Sequence, residues 1–209
     1  MVTYDRADTT ERIFRAAVEE FAEAGIAGAR VDRIAARAKS SKALIYSYIG
    51  DKEALFTAVL RSRMNELAEA VVLRPDRVGD FVGDLFDFMT ANPDVLRLVS
   101  HEAAHFAPDA SPDFAQRRDH YAEKTRAVQE AQAHGLVDDS LTPSFVVLSL
   151  MALVSWYVAA PQITRMVLDQ PETPDLHARY RAHLVTVARR MITPEGSRPE
   201  GNAPVPPAG

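Results

Sequence analysis

Apolar residues along this chain recur every three or four positions and nowhere sustain a two-residue alternation. That pattern predicts helices and no strand. Ile13, Phe14, Ala17, Val18, Phe21 and Ala22 form one such face, with Thr9 or Thr10 able to cap its start and Gly25 to stop it. Val31–Ala38 follows as a short helix with Val31, Ile34, Ala35 and Ala38 turned inward, and Ser41–Ile49 is a third. Asp51 can cap a long fourth helix from Lys52 to about Leu73, ended by Pro75. Later helical runs are 76–91, 93–106, 112–134, 143–160, 162–168 and 174–192, with Pro or Gly punctuating their ends. Residues 143–160 (PSFVVLSLMALVSWYVAA) are apolar nearly all round, as in a helix covered on more than one side. Residues 174–192 are amphipathic, with Leu176, Tyr180, His183, Leu184, Val187 and Met191 along one face.

The expected fold is therefore all-α. A three-helix N-terminal unit is joined by a long helix to a larger helical domain, giving boundaries at 1–55 and 56–192. Residues 193–209, with PEGSRPEGNAPVPPAG, hold almost nothing apolar to bury and are expected to form a disordered tail. The chain has 209 residues and no cysteine, which excludes disulfide scaffolds and thiolate chemistry and suits a reducing cytoplasm. Its N-terminus is polar, and its longest apolar run is interrupted by Ser149 and Ser155, so a membrane span is not expected.

Charge changes the picture locally. The whole chain carries a formal charge of −5, which argues against indiscriminate binding to polyanions. Between Arg30 and Leu55, however, six basic residues (Arg30, Arg33, Arg37, Lys39, Lys42, Lys52) face three acidic ones. A basic island on two short helices separated by a polar break has the form of a helix–turn–helix DNA reader. Ser40, Ser41, Lys42 and Ala43 lie at the start of the third helix, small enough to approach base edges and close to free backbone N–H groups that attract phosphate. Tyr46 and Tyr48 can reach the DNA backbone with their hydroxyls. Lys52, poorly placed for the helix dipole, is well placed for a phosphate. Arg33 is assigned to phosphate; Arg30 and Lys42 could read guanine or clamp phosphate.

The order of these residues is more specific than their charge. Phe21-Ala22-Glu23-Ala24-Gly25, Val31-Asp32-Arg33-Ile34-Ala35, Ser41-Lys42-Ala43-Leu44-Ile45-Tyr46-Ser47-Tyr48 and Asp51-Lys52-Glu53-Ala54-Leu55 resemble the DNA-binding domain of the TetR family of transcriptional regulators over residues 9–60. The resemblance implies a homodimeric regulator, most often a repressor, that holds double-stranded operator DNA and is released by a small molecule bound in the C-terminal helical domain. It implies no catalysis and no cofactor. The chain departs from the family pattern at Lys39 (commonly Gly), Ser40 (an apolar turn residue), Ala43 (Gly), Leu44 and Ser47 (polar readers), and Ile49 (Phe). Leu44 and Ser47 accordingly join the expected DNA-reading set.

Aromatic and sulfur-bearing residues of the C-terminal domain are candidates to line a ligand cavity: Phe81, Phe86, Met89, Phe106, Tyr121, Met151 and Trp156, with His101 and His105. The resemblance also implies a four-helix dimer seam from the two late helices, drawing on Phe145, Leu148, Ala152, Leu176, Tyr180, Leu184, Val187 and Met191. One competing motif stands apart. His101-Glu102-Ala103-Ala104-His105 is a literal H-E-x-x-H, whose histidines share a helix face and could hold zinc with Glu102 as general base, the mark of a metal-dependent hydrolase. No third-ligand motif accompanies it, although His120, Glu123 and His134 are available, so no metal site is assigned.

Overall fold

The computed structural model describes residues 6–194; most of the tail expected over 193–209 lies outside the described residues. Every regular element among them is helical. The helices are α1 (Arg6–Gly28), α2 (Val31–Arg37), α3 (Lys42–Ile49), α4 (Lys52–Ala70), α5 (Phe81–Ala91), α6 (Pro93–His105), α7 (Phe114–Ala133), α8 (Pro143–Ala159), α9 (Pro161–Leu168) and α10 (Pro174–Ile192). Short 3₁₀ segments cover Pro75–Asp80 and Pro108–Ala110. The first differs from the continuous helix expected over 76–91: Arg77 leaves helical geometry at φ −146°, ψ 45°. Thr9 is not the cap of α1, which begins upstream of it; Thr9 is buried, and its hydroxyl accepts from Arg12 Nη2 at 3.2 Å. No single described helix is long and apolar enough to cross a membrane, and α8 with α9 passes that test only as a pair bent by 89°.

Two compact units divide the chain, and they do not follow chain order. The first comprises the residues up to Ala70 together with Phe88–Asp119; the second comprises Val71–Asp87 and the chain from His120 onward. In the first, Ile13, Ala17, Phe21, Ile34, Ile45, Leu55, Phe56, Val59 and Leu60 form one apolar core. Leu98 of α6 enters the same core fully buried, and α6 packs on α1 and α4. Phe21 and Phe56 meet edge to face at 5.3 Å, and Phe106 lies 6.5 Å from Phe56. Gly25 lets α6 approach. With φ +65° it breaks α1 one turn before its end, and a Cβ there would stand 2.8 Å from His101 Nδ1.

In the second unit, Phe81, Val82, Phe86, Val128, Val146, Val147, Leu150, Val154, Leu176, Leu184, Ala188 and Ile192 are buried. Phe86, Tyr157, His177 and Tyr180 form an aromatic cluster: Tyr157 stacks on Tyr180 at 4.8 Å, while Phe86 meets Tyr157 edge to face at 5.0 Å and lies tilted 4.5 Å from His177. A row of ion pairs fastens α10 to the segment before and within α5. Arg189 donates to Asp80 at 2.5 Å, and Arg181 to Asp87 at 2.6 Å and Asp84 at 3.4 Å.

Candidate nucleic-acid interface

Two local caps fix α3. The Ser41 hydroxyl accepts from the Leu44 N–H at 3.1 Å, and Asp51 Oδ1 accepts from the Ala54 N–H at 2.8 Å to start α4 immediately after it. Ile45 is buried in the core beneath. The opposite face of α3 is open: Lys42, Ala43, Tyr46 and Ser47 are all exposed, with Leu44 and Tyr48 half-buried at its edges. Positions i, i+1, i+4 and i+5 share one side of a helix, so a short, narrow surface carries one cation, one methyl and two hydroxyls. That is a set able to meet base edges and phosphates. Ser47 Oγ donates to the Leu44 carbonyl at 2.9 Å.

Several expected DNA contacts are engaged within the protein. Ser40 turns inward: its Oγ is buried without a hydrogen-bond partner, so it offers no hydroxyl to phosphate. The Lys52 ammonium donates to the carbonyls of Ala27 and Ala29 at 3.3 and 3.4 Å, tying α4 to the α1–α2 connection. Arg33 lies 3.8 Å from Glu20. Arg30 is held twice. Its N–H donates to Glu20 Oε1 at 3.0 Å, and its guanidinium donates to Asp32 at 2.9 and 3.3 Å. That bond to Arg30 holds the Asp32 carboxyl below its ordinary range. Lys42 stands 4.0 Å from the same Asp32.

Glu20 is a buried carboxylate beneath this surface that sequence reasoning missed: it accepts the Arg30 N–H. It is fully buried, and its second oxygen, without a hydrogen bond, lies 3.6 Å from Arg37. Its position four after Ala16 and three after Ala17 put it on the apolar stripe of α1, a signal that was available.

The H-E-x-x-H segment is given other work. Glu102 is buried and receives a hydrogen bond from Arg117, which engages the carboxylate expected as a general base. His101 packs on Gly25, with Nε2 3.4 Å from the Ala22 carbonyl, while His105 lies edge-on to Phe106 and 3.9 Å from Glu53. Among the described residues no group of three or more His, Asp or Glu side chains is arranged to hold a metal. The hydrolase reading is therefore not supported.

The expected ligand residues are distributed over both units. Met89, His101, His105 and Phe106 belong to the first unit; Phe81, Phe86, Tyr121, Met151 and Trp156 belong to the second. Phe106 packs against the core of the first unit, and Trp156 is 61% exposed. The seam residues also separate. Phe145, Leu148 and Ala152 are exposed on α8, in line with Trp156. Leu176 and Leu184, by contrast, are interior residues of the chain itself, because the apolar face of α10 turns onto the second unit's core. Tyr180 stacks within that core, and Val187 and Met191 are half-buried.

The family profile described as bacterial regulatory proteins, tetR family, matches residues 13–59, and the profile described as the Tetracyclin repressor-like C-terminal domain matches residues 77–190. The transcriptional repressor SCO4008 of Streptomyces coelicolor is 40% identical over 168 residues, 80% of this chain and 88% of that protein. The chain belongs to the TetR family. TetR-family likeness extends to the fold: the structure of the Streptomyces coelicolor transcriptional regulator SCO4942 superposes with a TM-score of 0.79 at 37% identity, covering 91% of this chain and 99% of that one. The repressor NicS of Pseudomonas putida is 29% identical over 159 residues, 71% of this chain and 75% of its own. As a TetR-family member the chain is a DNA-binding transcriptional repressor and not an enzyme.

Proposed function

We propose that this chain acts in the cytoplasm as a homodimer that represses transcription at a palindromic operator. The residues up to 55 read DNA, and residues 56–192 dimerise and receive a small molecule that releases the operator. Each subunit lays α3 in the major groove, the two copies one helical turn apart. One observation carries the DNA-reading assignment: Lys42, Ala43, Tyr46 and Ser47 crowd the open face of α3 while Ile45 anchors its back. Lys42 and Tyr46 contact phosphates, Ala43 lies closest to base edges, and Arg30 joins them once it leaves Asp32.

Release by ligand requires only differential affinity. A small molecule bound about 100-fold more tightly by the conformer unable to span two grooves contributes roughly 2.7 kcal/mol against the DNA complex. Phe81, Phe86, Tyr121 and Met151 in the second unit are the residues retained for contact with it.

The test is binding to an operator selected from genomic fragments. Lys42→Ala and Tyr46→Phe are each expected to weaken binding about 10-fold, with melting temperature and oligomeric state preserved. Affinity should also fall linearly with salt on a double-logarithmic scale, since phosphate contacts release counterions. Unchanged affinity in both variants would remove the α3 face from the reading.

A further inference from the structure

The cations flanking the open face of α3 are not free charges waiting for phosphate, and one carboxylate restrains two of them. Arg30 is the residue before α2, and Lys42 opens α3; Asp32 stands between them in the first turn of α2. Its two oxygens accept from Arg30 Nε and Nη2 at 3.3 and 2.9 Å, while Lys42 Nζ approaches Oδ1 at 4.0 Å. The backbone of Arg30 is fixed separately by buried Glu20, so the Arg30 side chain extends from a rigid base toward Asp32. All three side chains are substantially solvent-exposed, so the arrangement sits at the surface and can be exchanged.

We infer that Asp32 is a specificity-determining residue that keeps Arg30 and Lys42 from non-specific DNA phosphates and yields them only to a well-matched site. The inference rests on the DNA-reading assignment of the α3 face. A phosphate replacing Asp32 at Arg30 must match a two-point hydrogen bond, because guanidinium binds carboxylate and phosphate through the same fork. On random duplex, loosely and variably docked, few phosphates meet that geometry, and the carboxylate retains its partners. On the operator, base contacts hold the register, and the phosphates then arrive where the exchange is favourable. Electrostatic attraction supplies essentially all non-specific binding, so masking two cations lowers that term more than the specific one.

The experiment measures full-length protein by fluorescence anisotropy on a random-sequence duplex and on the selected operator, across a salt series. Asp32→Asn is expected to tighten binding to the random duplex roughly 3- to 10-fold and to steepen its log–log salt slope by about one to two, because each newly engaged phosphate adds about 0.9. Operator affinity should change less, so the ratio between the two falls. Asp32→Glu should keep the wild-type ratio. In an Arg30→Ala background, Asp32→Asn should retain only the smaller gain owed to Lys42. A fold defect would appear as a lowered melting temperature and weaker binding to both duplexes, opposite to the expected sign. If the wild type binds both duplexes and Asp32→Asn leaves the random-duplex affinity and slope unchanged, Asp32 has no such role. If the wild type binds neither in a salt-dependent way, the α3 assignment fails and the Asp32 role with it.

Discussion

Lys39 occupies the turn between α2 and α3 with φ 50°, the left-handed region in which a β-carbon crowds its own backbone. The turn is tight: the Ser40 N–H reaches the Ala35 carbonyl at 2.9 Å, and the Lys39 N–H reaches that of Ala36 at 3.2 Å. A glycine relieves strain of order 1–3 kcal/mol but loses more entropy on folding, so Lys39→Gly is expected to stabilise the protein by about 0.5–1 kcal/mol. A β-branched residue is worse than lysine there, and Lys39→Val should destabilise by at least about 1 kcal/mol. Chemical denaturation of the three proteins should order them Gly, Lys, Val. Because Lys39 adjoins the N-terminus of α3, operator affinity of Lys39→Gly also reports whether its charge contributes to binding beyond its effect on the turn.

At the scale of elements, one close approach of α6 to α1 depends on a glycine. Gly25 breaks α1 with φ +65°, and His101 fills the space its missing side chain leaves. Gly25→Ala is therefore strained twice, by backbone conformation and by a 2.8 Å approach to Nδ1, and should lose about 2–3 kcal/mol. In a His101→Ala background the steric part vanishes and the backbone part remains, so the double-mutant cycle should show coupling of about 1 kcal/mol, read by denaturant midpoint. Simple additivity would mean that the imidazole does not set the distance. This junction also marks what the sequence could and could not reveal. Asp51 was readable as a cap because a cap's partner lies three residues away, and Ser41, taken as the first residue of α3, proves to cap it by the same local rule. The direction of α10's apolar face was not readable, since periodicity says that Leu176 and Leu184 share a side without saying whether their own protomer or a second copy covers it. Glu102 was misleading for the same reason. Its spacing from two histidines is local, whereas its partner Arg117 comes from another helix.

At the scale of the whole molecule, α8 leaves a run of large apolar side chains exposed. Phe145 and Leu148 are 68% and 67% exposed, and Trp156 continues the line at 61%. Their spacing of three and eight residues keeps them with Ala152 on one side of α8, opposite buried Val146, Val147, Leu150 and Val154. A contiguous exposed apolar stripe implies a covering surface, and a two-fold axis lets one stripe cover its own copy. The seam proposed for the homodimer therefore centres on Phe145, Leu148, Ala152 and Trp156 of α8 and leaves out Leu176 and Leu184, which are buried within the chain. Leu148→Glu sets like charges close to one another across such an axis and is expected to shift the protein from two chains to one in sedimentation equilibrium. Leu184→Ala, buried within the protomer, should instead cost about 2–5 kcal/mol of stability through its cavity. Loss of the dimer carries a second consequence, because two α3 helices on one assembly bind a palindrome with a high effective concentration. The Leu148→Glu monomer should keep its fold and a weak, salt-dependent affinity for a half-site while losing at least 100-fold on the full operator. A variant that remains dimeric would move the seam away from α8.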